Sequence, residues 1–464
     1  KELMSKWIFR KFSFRKLTPP HIIILGFLSV IFVGALLLAL PISLAEKHFD
    51  NLFTALFTAT SATCVTGLTL VDIERYYSDF GQAVILLLIQ TGGLGFMSLA
   101  MLFSLLLKRR VSPKERLIFV QSMNLFSGEK MFPFIKSMLT FTFIFEGVGA
   151  LLLSVRFIPM FGVGEGIAKS VFHSVSAFCN AGFDILGKSN PRPFMSFEAY
   201  ADDLYVNAVI GLLIVCGGLG FIVWYDIYRA IKDRKRLFLY SKMVLAISGI
   251  LIVSGAALFL VSEWDNPATI GNASVGGKIL RAVFLSINCR TAGFTTFSVE
   301  ALTDVSKVTA MLLMFVGGSS GSTAGGIKTV TVGVILVAVF QIIRGNREIN
   351  IHKRRIENGV VSRAFALLTV SALTLLVCSF LLNFTEKASG NRLLDLAFEA
   401  FSAFGTVGLT ASVTPELSHL GMIIIMALMF FGRVGIMTIM FTVMVSLKAE
   451  KQPFSYPKAN LLIG

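Results

Sequence analysis

A short turn that recurs four times constrains this chain more than any other feature in it. The copies read Thr63-Cys64-Val65-Thr66-Gly67-Leu68, Phe178-Cys179-Asn180-Ala181-Gly182-Phe183, Cys289-Arg290-Thr291-Ala292-Gly293-Phe294 and Phe404-Gly405-Thr406-Val407-Gly408-Leu409. Each ends in a glycine followed by a large apolar residue. The glycines lie 115, 111 and 115 residues apart (67 to 182, 182 to 293, 293 to 408). Repetition at a near-constant period means one structural unit used several times, and missing it miscalls the fold.

The surroundings of the turns decide which unit. Of 464 residues, 55% are hydrophobic and 15% charged, against about 25% charged in ordinary soluble domains. Mean hydropathy is +0.77. The charges are segregated, leaving apolar runs such as 22–40, 245–261 and 364–382. About 20 apolar residues span a bilayer, so the chain reads as an all-α polytopic membrane protein. The net charge is +15, but the Lys and Arg residues cluster at the ends of apolar spans. That is the positive-inside pattern, and no nucleic-acid partner is expected. The five cysteines include no CxxC pair and sit within or beside apolar stretches. They read as small buried residues, with no metal centre among them.

Each turn follows a short apolar segment, at 49–63, 167–178, 278–288 and 393–404. About 15 helical residues rise roughly 22 Å, less than the ~30 Å hydrocarbon core. Long apolar segments flank each short one. The unit is therefore span, half-membrane helix, turn, returning span, with returning spans expected at 80–107, 204–231, 305–343 and 420–447. The divisions that follow are a basic tail (1–20), repeat one (21–108), a linker with repeat two (109–231), repeat three (232–344), a linker with repeat four (345–447) and a second tail (448–464). Two spans per repeat bring every basic cluster to one side, expected to be cytoplasmic, and open every turn from the other.

Irregular backbone at membrane depth is tolerated only inside protein or around a water-filled cavity. Four such turns therefore imply one central pore. A half-membrane helix directs its C-terminal partial negative charge at the bilayer centre. Four of them favour a cation there. Backbone carbonyls in the turn can then replace the ion's water shell. The expected filter comprises Cys64, Val65, Thr66 and Gly67; Cys179, Asn180, Ala181 and Gly182; Arg290, Thr291, Ala292 and Gly293; and Gly405, Thr406, Val407 and Gly408. The carbonyls expected to hold the ion are those of Thr66, Gly67, Ala181, Gly182, Ala292, Gly293, Val407 and Gly408.

On these residues the chain resembles the superfamily of K+ transporters of the Trk/Ktr/HKT type, from His21 to about Leu447. Their filter glycines correspond to Gly67, Gly182, Gly293 and Gly408. Serine at the first position goes with Na+ permeation in some plant members, so Gly67 implies K+. No copy carries a full TVGYG, which implies fewer tight ion sites. The chain is most similar to the Ktr-type membrane subunit. That resemblance implies a homodimer in the plasma membrane, seated on a cytosolic ring of nucleotide-binding regulatory subunits. No organic cofactor is expected in this chain, and Na+ is left open as a second ion.

The third returning segment contains Gly317, Gly318, Ser319, Ser320, Gly321, Ser322, Thr323, Ala324, Gly325 and Gly326. Glycine costs about 0.8–1.0 kcal/mol against alanine at each helical site, so an unwound linker is expected at membrane depth. The resemblance implies a gating loop. Gly325-Gly326-Ile327-Lys328-Thr329 is not a phosphate-binding loop, because Ile327 breaks the motif and no strand precedes it. Arg433 interrupts the last apolar run and should meet carbonyls of the linker, holding the pore closed. Glu146 and Glu399 could raise the local cation concentration, but read more readily as structural carboxylates paired with a nearby cation, with Arg290 a candidate partner for Glu399. No catalytic constellation is legible, so no enzyme is expected. The alternative class is a Na+-coupled secondary transporter working by alternating access, which four units of like orientation disfavour.

Overall fold

The computed structural model describes residues 19–439 except 48, 50, 96–97, 99–115, 118–119, 121–130, 347, 352–353, 388–389 and 437. Residues 1–18 of the first expected tail, the second tail, the 108–110 cluster, and the far ends of the first and last returning spans lie outside the described residues.

Unit one comprises α1 (Pro19–Leu38), α2 (Leu52–Cys64) and α3 (Asp79–Leu94). Unit two comprises α4 (Met131–Phe161), α5 (Val163–Phe178), α6 (Leu204–Leu219) and α7 (Phe221–Lys232). Unit three comprises α8 (Leu239–Glu263), α9 (Val275–Asn288), α10 (Asp304–Phe315) and α11 (Thr329–Ile343). Unit four comprises α12 (Asn358–Thr385), α13 (Leu393–Gly405) and α14 (His419–Val434). A two-residue hairpin, β1 (Asn350–Ile351) with β2 (Arg354–Arg355), joins α11 to α12.

The leading helices α1, α4, α8 and α12 are long and apolar enough to cross a membrane. They present Phe32, Val155, Val253 and Leu373 outward, as lipid-facing helices do. The second helices α2, α5, α9 and α13 have 13 to 16 residues and end inside the protein. Their C-terminal turns are almost wholly buried.

Each returning helix starts on a polar cap. Ser78 accepts from the Gly81 N–H, Asp203 from Tyr205 and Val206, Thr303 from Ser306, and Ser418 from Gly421. Such caps satisfy amides that have no helical partner and contribute about 1 kcal/mol each.

The returning helices are not the continuous spans expected. α3 stops at Gly95 (φ +77°), and α14 at Gly435 (φ +89°). α6 stops at Gly220 (φ +84°), and α7 leaves at 91° to it. α10 and α11 are separated by the whole linker. Glycine takes a positive φ without a Cβ clash, so one residue ends each of α3, α6 and α14.

The units close on one another in order. α3 packs on α5, α6 on α9, α10 on α13, and α14 back on α2. Ion pairs pin successive junctions: Glu74 with Lys169 (2.6 Å), Asp202 with Arg281 (2.9 Å) and Asp395 with Lys307 (2.7 Å). The first is buried, and breaking a buried pair strands a charge at a cost of about 3–5 kcal/mol. Lys169 Nζ also donates to the Ile185 carbonyl (3.0 Å), and Glu74 accepts from the Lys188 N–H (2.7 Å).

Candidate functional site

The four turns leave their helices in the same way. Val65, Asn180, Thr291 and Thr406 all adopt left-handed backbone, with φ of 57°, 59°, 76° and 51°. Two residues later Gly67, Gly182, Gly293 and Gly408 follow at φ of 93°, 70°, 79° and 92°. Few residues other than glycine sit easily there. Cys64, Cys179, Arg290 and Gly405 occupy the helix end before each turn.

These turns meet in a closed ring. A Cβ built on Gly67 would lie 2.5 Å from the Ala181 carbonyl oxygen and 3.2 Å from Gly182 Cα. One on Gly182 would lie 2.5 Å from the Ala292 oxygen and 3.2 Å from Gly293 Cα. One on Gly293 would collide with the Val407 oxygen, and one on Gly408 with the Thr66 oxygen. Each glycine thus faces the carbonyl before the next glycine, and the fourth faces the first. Four carbonyl oxygens and four helix C-termini converge on one axis, a polar environment suited to a dehydrated cation.

Side chains from the helices brace the ring. Ser61 Oγ accepts from the Gly67 N–H and Ser402 Oγ from the Gly408 N–H, both at 3.1 Å. Ser176 Oγ donates to the Phe183 carbonyl (2.7 Å), and Asn288 Oδ1 accepts from the Phe294 N–H (2.9 Å). Sequence reading missed these braces, although a serine six residues before the glycine recurs in three copies. Arg290 contributes backbone to its turn. Its guanidinium points behind it, with long contacts to the carbonyls of Ser248 (3.5 Å) and Gly317 (3.4 Å).

A cavity of about 170 Å³ opens on one side of the ring, lined by all four glycines and by Asp184 and Glu198. Burial, helped by the charge of Asp72, raises the Asp184 carboxyl to about 6. Asp184 was also missed. It follows the second turn immediately, and that position is its only sequence signal.

On the opposite side lies the unwound linker. Gly317 to Gly326 form no helix, and the linker is tied on several sides. Ser319 N–H donates to the Gly218 carbonyl (3.1 Å), and Gly321 accepts from the Phe221 N–H (2.9 Å). Thr323 Oγ1 donates to the Phe178 carbonyl (3.2 Å), and Thr406 Oγ1 accepts from the Gly325 N–H (3.1 Å). The linker therefore touches the ends of the second and fourth half-membrane segments. Ser322 Oγ donates to Ser319 (2.7 Å) and Lys328 Nζ to the Ala324 carbonyl (2.7 Å), folding the linker on itself. Arg433 reaches it from α14. One guanidinium nitrogen donates to the Thr323 carbonyl, and the other to those of Gly92 and Gly93 on α3. Arg433 thus clips the linker to the first unit. Lys328 is a second cation at this level, held on the Ala324 carbonyl.

The two carboxylates singled out in the sequence have neutral partners. Glu146 accepts from Gln90 Nε2 (3.1 Å) and faces the Cys179 thiol. Glu399 accepts from the hydroxyls of Thr410 and Thr414 and from the Ala411 N–H. Arg290 is not its partner, because the guanidinium is committed behind the third turn.

Known proteins are similar to this chain. The profile described as "TrkH: Cation transport protein" matches residues 19–453. The chain is 38% identical to the potassium/sodium uptake protein NtpJ of Enterococcus hirae, over 98% of this chain and 100% of that protein. It is 37% identical to the Ktr system potassium uptake protein B of Bacillus subtilis, over 100% and 99% of the two chains. The crystal structure of the potassium transporter TrkH from Vibrio parahaemolyticus superposes with a TM-score of 0.70 at 17% identity, covering 96% of this chain and 89% of that one. That likeness shows a shared fold, four membrane–pore-loop–membrane units around one central pore. The chain belongs to the TrkH family of cation transport proteins, as an integral membrane protein.

Proposed function

We propose that this chain carries K+ into the cell across the plasma membrane, through the ring of four glycine turns acting as an ion filter. The closed glycine-to-carbonyl circuit carries the reading. It puts equivalent backbone oxygens from all four units at one level, and carbonyl rings can replace the hydration shell of K+. The potassium in the names of the E. hirae and B. subtilis relatives supports the same ion. The basic loops face the cytosol and the Asp184 cavity faces outside. The linker at 317–326 is the gate, with Arg433 its latch. As a Ktr-type subunit, the chain would form a homodimer on a cytosolic nucleotide-binding ring.

Gly67→Ser tests the filter. Its Cβ would push on the Ala181 oxygen and displace one of four carbonyls. In proteoliposomes the K+-over-Na+ flux ratio is expected to fall by about tenfold, on the order of 1.4 kcal/mol of lost discrimination. An unchanged ratio in a variant that still transports would remove the ring as the selective element.

The outer cavity adds a pH dependence. With its carboxyl raised to about 6, Asp184 is ionised above that pH and neutral below it. Cation attraction is then present above about pH 6 and lost as external pH falls through it. K+ uptake at low external K+ should drop by about tenfold across that window, the lower end of field-focused encounter. Asp184→Asn should flatten the profile near the acid-side rate. A titration equally steep in the Asn variant would assign it elsewhere.

A further inference from the structure

We propose that the junction of α7 and α8 is a binding site for the phosphate headgroup of an anionic lipid in the cytoplasmic leaflet. The inference rests on the topology proposed above, with the basic loops inside.

A cavity of about 480 Å³ lies at this junction, lined by Arg229, Lys235, Arg236, Lys242 and Arg354. Three segments supply these cations: α7 and its following turn, the start of α8, and the β2 strand. Arg229 pairs with Asp226 (2.7 Å), and Lys235 lies 3.7 Å from Asp233. Among the described residues, no acidic side chain pairs with Arg236, Lys242 or Arg354. Three cations thus converge on one cavity, which suits the oxygens of a phosphodiester.

The apolar surroundings select a lipid as the source of that phosphate. The 91° turn at Gly220 lays α7 across the end of the membrane-spanning part of unit two. Its Ile231 is 75% exposed and its Tyr228 49%, with Phe238 51% exposed beside the cavity. The Arg229 guanidinium stacks 3.6 Å from the Phe238 ring centre. α8, which starts at the cavity wall, is one of the long apolar helices. A cationic cavity lined also by Leu237, Phe238 and Leu239, at the start of a long apolar span, matches a headgroup above its acyl chains. A soluble phosphate would make no use of that apolar lining.

The site is wired to the linker. Asp226 is buried and accepts from the Phe238 N–H and from Ser241 Oγ, both at 2.7 Å, fixing the turn. Leu239 lines the cavity, and the next residue, Tyr240, donates its hydroxyl to the Ser320 carbonyl at 2.8 Å. Headgroup occupancy therefore bears on the segment beneath the ring.

Purified full-length protein in detergent is titrated with phosphatidylglycerol, and retained lipid is counted by native mass spectrometry. At about 1 kcal/mol per surface cation, Arg236→Gln, Lys242→Gln and Arg354→Gln together should weaken retention by roughly a hundredfold. Each alone, which disturbs one exposed side chain, should weaken it about fivefold. Retention equal to the parent in the triple variant and in all three singles overturns the proposal. So does equal retention of phosphatidylcholine. Displacement by millimolar glycerol 3-phosphate would overturn the lipid assignment in favour of a soluble phosphate. Poly-glutamate binding where phosphatidylglycerol does not bind would overturn it in favour of an acidic protein partner. For the coupling, the ratio of K+ flux in phosphatidylglycerol-containing vesicles to that in phosphatidylcholine vesicles should approach one in Tyr240→Phe, with lipid retention intact. An unchanged ratio overturns the coupling. Intact K+ flux in variants that lose nothing would fail this site while leaving the transport reading in place.

Discussion

Replacing Gly182 with alanine should reduce K+ flux at least tenfold while leaving the protein in the membrane. Two effects act together. The residue holds φ +70°, and a Cβ there would lie 2.5 Å from the Ala292 oxygen and 3.2 Å from Gly293 Cα. Backbone held in a disfavoured region costs about 1–3 kcal/mol, and the contact can be relieved only by moving a neighbouring turn. The damage falls on the ring rather than on the fold. α5 and α6 hold unit two in place through packing that does not involve this residue, and Lys169 still anchors to Glu74. Flux is measured in proteoliposomes and normalised to the protein inserted. Gly147→Ala is the control, because a Cβ at Gly147 meets nothing within 4 Å. Parental flux in Gly182→Ala would mean that the ring is not on the ion's path.

Arg433→Ala should raise K+ flux by about tenfold in the absence of any regulatory partner. The guanidinium ties the Thr323 carbonyl of the linker to the Gly92 and Gly93 carbonyls of α3. Charge-assisted hydrogen bonds contribute about 1.5–3 kcal/mol, so losing the linker contact shifts a closed-to-open balance by an order of magnitude or more. An arginine in an apolar run is expensive to insert, and here carbonyls from two units satisfy it. Arg433→Lys should fall between parent and alanine, since an ammonium keeps the charge but lacks the planar fork that reaches two partners. Flux equal to the parent in both variants, at equal expression, would reduce Arg433 to a structural pin.

The units could be read from the sequence because two signals agree on them. Runs long enough to span a bilayer alternate with runs too short to do so, and the glycine spacing puts one turn after each short run. The resemblance then named the family. Where the returning helices break could not be read. Gly95, Gly220 and Gly435 each close a glycine-bearing cluster at an equivalent position (92–95, 217–220, 432–435), but composition does not fix the backbone torsion or the angle at which the chain leaves. The right-angle departure of α7 was lost for that reason. Partners across the units were equally invisible. Nothing near Lys169 in the chain points to Glu74, and nothing near Glu399 predicts Thr410 and Thr414 over Arg290. Those contacts depend on the circular packing of units, which appears only when the chain closes. The linker stood out because five glycines in ten positions leave helix propensity no ambiguity.

A pore made from four copies of one subunit must repeat every feature four times. This ring is threaded on a single polypeptide and escapes that rule. Among the described residues, the ten-residue interruption lies in the third quadrant alone, and the fourth supplies the arginine that ties it to the first. The backbone oxygens at the centre keep their near-fourfold order while the floor beneath them is lopsided. Covalent continuity thus lets one quarter of the circle carry an irregular segment that the other three need not copy.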